Sequence, residues 1–160
     1  SRTDRYRRSI PLESLRSVLG IPGVRCVSLQ YTDCREELAR MRADFGVDLP
    51  HWQEAIEDYE ETAALVASLD LVITVCTAVV HLAGALDTPV WVLVPCAPSW
   101  RYLRHGTVLP WYPSARLFRQ QEPLCWEPVL EAIKGELARQ HGVVRQATPK
   151  VETREGVCPC

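Results

Sequence analysis

The run Val75-Cys76-Thr77-Ala78-Val79 is where the residue types and their spacing could do chemistry. A continuous apolar stretch from Leu71 to Val75 gives way within two residues to an alanine-rich one ending near Leu86. That change predicts a buried strand running straight into a helix. The first N–H groups of a helix have no intrahelical partner, and the helix dipole adds positive potential there. An anion such as a diphosphate uses both. Thr77 can cap the helix or donate its hydroxyl to a phosphate oxygen, and Ala78 leaves room for close backbone approach. An ordinary buried crossover capped by Thr77 accounts for the same residues. His81 follows Thr77 by four positions, on the same helix face, and reads equally as a ligand contact or as a core histidine. No GxGxxG or Walker-type glycine loop occurs, which argues against nicotinamide dehydrogenases and P-loop enzymes.

The elements that must position this junction alternate in type. Pro11 to Leu19 reads as a short helix and Val24 to Leu29 as a short strand. Asp33 caps a helix reaching about Ala43, and Phe45 to Leu49 is a second short strand. Pro50 to Tyr59 reads as a loop, and Glu60 to Ser68 as a helix. Leu71 to Val75 has the uninterrupted apolar character of a central parallel strand. Thr77 to Leu86 is the next helix and Val90 to Val94 the next strand. Leu117-Phe118 is the centre of the last strand, and Trp126 to Gln140 is an amphipathic helix. Strand and helix in alternation predict an α/β, Rossmann-like parallel sheet flanked by helices. Trp100, Trp111 and Tyr112 are expected in an ordered loop at the sheet's carboxyl end. If they stand apart from the Thr77 helix start, they read instead as an interface to another domain.

The chain has 160 residues, 47% hydrophobic and 24% charged, with a net charge of −2. Such a balance suits one globular domain and lacks the basic field of a general nucleic-acid binder. The longest apolar run, Leu71 to Leu86, is shorter than the ~20 residues that span a bilayer. The basic N-terminus lacks the apolar run of a signal peptide. Seven cysteines without a CxxC pair suggest reduced thiols in a cytoplasmic protein rather than a zinc site. Residues 1–140 are expected to form one domain, truncated at its N-terminus, with 141–160 a disordered tail.

Several segments together resemble a known family. These are Glu60 to Ile73, Thr77 to Leu86, Pro89 to Leu93, Pro98 to Tyr102, Pro110 to Ser114, Leu117 to Gln120, and the entrance Arg8 to Leu12. In combination they are similar to the C-terminal domain of glycosyltransferase family 9 proteins. They are closer still to bacterial glycosyltransferases that carry tetratricopeptide repeats ahead of such a domain. The resemblance implies the C-terminal half of a GT-B fold, holding a UDP- or ADP-linked nucleotide diphosphate sugar. It implies inverting, metal-independent hexosyl or heptosyl transfer in a longer protein, with no cofactor. The implied partners are an N-terminal GT-B domain, possible tetratricopeptide repeats, and an acceptor of unspecified type. Thr77 and the backbone of Ala78 and Val79 would hold the diphosphate, with His81 beside them. Arg8, helped by Arg5, would stabilise the leaving diphosphate as the catalytic cation. Glu60 or Glu61 would lie near the nucleoside, though either also reads as a carboxylate favoured at a helix start.

Two positions depart from that family. Cys76 stands where it has an aspartate near the sugar, and Asp87 where it has a helix-ending glycine. Cys76 supports the alternative expectation, a degenerate and inactive Rossmann-like domain serving as a nucleotide-binding or protein-interaction module.

Overall fold

A computed structural model describes residues 9–146, and the side chains of residues 9–140. Four strands form one sheet: β1 (Val72–Val75), β2 (Val90–Val94), β3 (Val108–Leu109) and β4 (Tyr112–Arg119). Their spatial order is β1-β2-β4-β3. β1 and β4 both run parallel to β2, and β3 is antiparallel to β4. The helices are α1 (Arg16–Leu19), α2 (Arg35–Phe45), α3 (Gln53–Glu57), α4 (Tyr59–Ala67), α5 (Ala78–Ala85) and α6 (Glu127–Gln146). Short 3-10 turns cover Leu12–Leu15 and Trp100–Tyr102. The result is the expected α/β Rossmann-like arrangement, a mixed sheet flanked by helices.

Strand alternation divides the core in two. Val72, Val90, Val92, Val94, Ala115 and Leu117 face α4 and α5, where they meet Val66, Val80 and Ala83. Ile73, Val75, Trp91, Leu93 and Phe118 face the other way, onto Val18 and the Trp126, Val129, Leu130, Ile133 and Leu137 stripe of α6. β2 is buried at every position because both faces are covered, as an uninterrupted apolar strand requires.

Local sequence explains the helix boundaries. The Asp58 carboxylate accepts from the backbone N–H groups of Glu60 and Glu61, starting α4 one residue before the expected Glu60. Asp33 accepts from the N–H of Arg35 at the start of α2, close to its expected role. α5 ends in a Schellman arrangement. Thr88 N–H donates to Ala83 O at 2.9 Å and Asp87 N–H to Gly84 O at 3.3 Å, with Asp87 left-handed at φ 56°.

Some expectations need correction. β1 is parallel but stands at the end of the strand order, not at its centre. Val24 to Leu29 and Phe45 to Leu49 are not strands. Ser28 makes only an isolated parallel bridge to His51, and Phe45 closes α2. Without a neighbouring ladder, five or six apolar-leaning residues do not organise as strand. The expected loop before Tyr59 contains α3, and β3 was not foreseen. α6 continues to Gln146, past the expected boundary at Gln140, and the rest of the tail lies outside the described residues.

Candidate functional site

The β1–α5 junction has the expected form. Thr77 is the N-cap of α5, exposed and in extended backbone. Its hydroxyl does not bond to the helix. It lies 3.2 Å from the hydroxyl of Thr74, in β1. Ala78 and Val79 form the first turn and Val80 N–H donates back to Thr77 O at 3.3 Å. Cys76 turns toward the neighbouring strand, its thiol 3.8 Å from Leu93 O, and packs at the margin of the α5-side core. His81 is half-buried between two tyrosines. Its Nδ1 is 3.3 Å from the Tyr112 hydroxyl and its ring 6.3 Å from that of Tyr102. Glu60 and Glu61 are exposed first-turn residues of α4, their backbone N–H groups taken by Asp58. Arg5 and Arg8 lie outside the described residues.

Arg119, at the carboxyl end of β4, was not foreseen as a structural centre. Its guanidinium donates to four backbone oxygens of one loop: Tyr102 at 2.6 Å, Gly106 at 2.7 Å, Leu103 at 3.1 Å and His105 at 3.2 Å. Partial burial lowers its pKa from the ordinary arginine value, and nearby Cys76 acts in the opposite direction. The loop so held carries Trp100 and Trp111, whose rings meet edge to face at 6.3 Å. Trp111 Nε1 donates to Arg101 O at 3.0 Å. These aromatics do not gather at the sheet's carboxyl end as expected. Tyr112 opens β4, three residues before Ala115, which pairs with the first residue of β2. Trp111 and Tyr112 therefore lie at the amino ends of the strands, away from the α5 start.

The sheet's carboxyl end instead opens into a groove of about 1040 Å³ on the α6 side. Ser9 to Pro11, Gln30, the first residues of α2, Leu124 and Trp126 line it. Trp126 is only 5% exposed, and its indole Nε1 is fully buried with no hydrogen-bond partner among the described residues. A buried donor left unpaired costs about 1–3 kcal/mol. The groove's charges are largely matched. Arg35 pairs with Asp33 at 2.7 Å and Arg40 with Glu36 at 3.7 Å. Hydrogen bonding from Arg35 holds the Asp33 carboxyl at about 2. With its cations engaged, the groove suits hydrogen-bond acceptors better than a dense negative charge. Sequence spacing gave no sign of it, because Ser9, Gln30 and Trp126 are brought together only by the packing of α6.

Comparison with known proteins corrects the family expectation. The chain is 42% identical over 132 residues to Protein FlbA of Caulobacter vibrioides. The match takes in 79% of this chain and 21% of that protein, so the chain spans about one fifth of its relative's length. No protein-family model matches, and no solved structure matches. The relative found is thus FlbA and not a glycosyltransferase. The resemblance to family 9 glycosyltransferases, the expected role as their donor-binding domain and the attached glycosyltransferase vocabulary are overturned by it. The shared features, a buried strand, a Thr-Ala helix start and an apolar strand after a proline, are general to parallel α/β crossovers and do not carry an activity. Among the described residues no helix is long and apolar enough to cross a membrane.

Proposed function

We propose that this chain serves an FlbA-type function as a ligand-binding α/β segment of a longer protein, with the groove at the carboxyl end of the sheet as its binding site. The unpaired, buried indole N–H of Trp126 carries this reading. It sits where open α/β sheets place their ligands, beyond the strand ends. The ligand is a small polar molecule whose hydrogen-bond acceptor reaches the Trp126 N–H through a local shift of the side chains that cover it, with Ile10, Pro11 and Leu124 supplying apolar contact. Identity to an FlbA segment supports a role within a larger polypeptide.

The test follows the Trp126 indole resonance by NMR while uridine and adenosine, flat molecules rich in acceptors, are titrated in. The resonance should move and its hydrogen exchange should slow. Trp126→Phe removes the N–H together with the five-membered ring, so it should weaken that binding about 10-fold, beside a loss of stability of about 1–3 kcal/mol from the smaller side chain in the α6-side core. The reading fails if neither probe moves the indole signal, or if Trp126→Phe, still folded, leaves binding intact.

A further inference from the structure

A second surface, which shares no residue with the groove's lining, has an unusual composition. Trp100 is 70% exposed, Trp111 53% and Val108, on the edge strand β3, 62%. Large apolar side chains gathered in one exposed patch usually mark an interaction surface. These are also held in place. The edge-to-face Trp pair is fixed by the Trp111 Nε1 bond to Arg101 O, and the loop beneath by Arg119. Rigid aromatic anchors lose little entropy on binding, which is why tryptophan dominates interface energetics.

The charge around the pair has one sign. From Pro95 to Trp111 the chain has Arg101, Arg104 and His105 and no Asp or Glu. The Arg101 guanidinium lies 5.0 Å from the Trp100 ring centroid. Among the described residues neither Arg101 nor Arg104 is ion-paired, although six salt bridges form elsewhere. An aromatic and cationic surface complements an apolar segment that bears carboxylates.

We infer that the Trp100–Trp111 surface docks an acidic, apolar segment of the same polypeptide, lying outside these 160 residues. The comparison with FlbA supplies that polypeptide. Only 21% of FlbA corresponds to this chain, leaving most of its length available to cover the patch. Trp52 sets the contrast. It is 50% exposed, has no aromatic partner among the described residues, and has no basic cluster beside it in sequence.

Radical footprinting with mass spectrometry on the full-length protein tests this tryptophan by tryptophan. Trp100 and Trp111 should be oxidised at least 5-fold more slowly than Trp52, and by the same factor at all protein concentrations. The double variant Arg101→Glu with Arg104→Glu should return them to the Trp52 rate. Trp91, buried in the sheet, should stay protected in the same sample and so report that the fold is kept. Oxidation of Trp100 and Trp111 at the Trp52 rate would overturn the proposal. Protection that fades on dilution would assign the surface to a second copy and overturn the intramolecular occupant. Protection unchanged in the double variant, with Trp91 still buried, would overturn the acidic chemistry.

Discussion

Two connections leave and re-enter the same sheet, and they are built in opposite ways. From β1 to β2 the chain crosses through α5, a regular helix whose Val80, Leu82 and Ala83 are buried against the sheet. From β2 to β4, also parallel neighbours, it crosses without an α-helix, through a 3-10 turn and the two-residue strand β3. The first connection satisfies its backbone groups internally. The second cannot, and four of its carbonyls take their donors from one side chain, Arg119. It also holds Leu103 at φ 55° and ψ 173°, a region that non-glycine residues rarely occupy. Apolar burial keeps the helical crossover in place, whereas the irregular one, although it buries Tyr102 and Leu109, also relies on a single cation for four of its carbonyls. A conformation that expensive persists only where the surroundings impose it, and here the surroundings are Arg119.

The largest expected effect therefore comes from Arg119→Ala. Hydrogen bonds to a charged group contribute about 1.5–3 kcal/mol each, but four bonds from one guanidinium do not add, and water replaces part of them. A loss of about 3 kcal/mol in urea unfolding is expected, with Leu103 relaxing and the Trp100–Trp111 contact opening. Arg119→Lys should recover little of it. An ammonium has three donors around one nitrogen and cannot span carbonyls from Tyr102 to Gly106. Near-wild-type stability for the alanine variant, with the indole signals of Trp100 and Trp111 unmoved, would remove the contrast between the two connections.

The same contrast governs what could be read from sequence. The β1–α5–β2 unit was legible because its signals are local. These are a β-branched apolar run, a threonine before an alanine-rich stretch, and an apolar strand after Pro89. Val90 to Val94 emerges as β2 without change. The β2–β4 connection was not legible, since nothing near Arg119 in sequence says that its partners lie from Tyr102 to Gly106. Its aromatics were expected at the wrong end of the sheet for the same reason. β3 is too short for a period-2 pattern, so the direction of the chain into Tyr112 could not be inferred. The groove depends on packing between the first described residues, α2 and α6, three elements far apart in sequence. Thr77 occupies the N-cap position of α5, as its place before the alanine-rich run predicts. The family resemblance rested on the legible unit, which is the part most shared among α/β proteins, and also on segments outside it such as Pro98 to Tyr102 and Pro110 to Ser114.

A contact between α5 and the first residue of β4, where the irregular connection ends, offers the next test. Gly84 of α5 lies against the ring of Tyr112, and a Cβ there would overlap the ring atoms. Because Tyr112 also reaches the His81 imidazole, the ring has little freedom to retreat. Overpacking of this kind costs about 1–3 kcal/mol, while alanine in place of glycine gains about 1 kcal/mol of helix propensity. Gly84→Ala should thus destabilise by up to about 2 kcal/mol. In a Tyr112→Ala background the overlap is gone, and the same substitution should become stabilising. Additive effects in that double-mutant cycle would mean that the two connections are not coupled through this contact.

The smallest expected effect sharpens the comparison from the regular side. Asp87 follows the last turn of α5 in left-handed backbone, where its N–H and that of Thr88 close the helix. A residue with a Cβ pays about 1–2 kcal/mol in this conformation, and aspartate somewhat less because its short polar side chain tolerates it. A carboxylate also sits unfavourably at the negative end of a helix dipole. Replacement by glycine removes both penalties, at the expense of a more flexible unfolded chain, which takes back about 0.5–1 kcal/mol. Asp87→Gly should then leave a net gain of about 0.5 kcal/mol, raising the melting temperature by about 1–2 °C. The corresponding change at Leu103, where φ is also positive, should behave differently. Leu103→Gly relieves the backbone but frees the loop that Arg119 organises, so its gain should shrink or vanish. If Leu103→Gly stabilises more than Asp87→Gly, the irregular connection stores strain that Arg119 does not offset, and the cation is a weaker clamp than its four hydrogen bonds suggest.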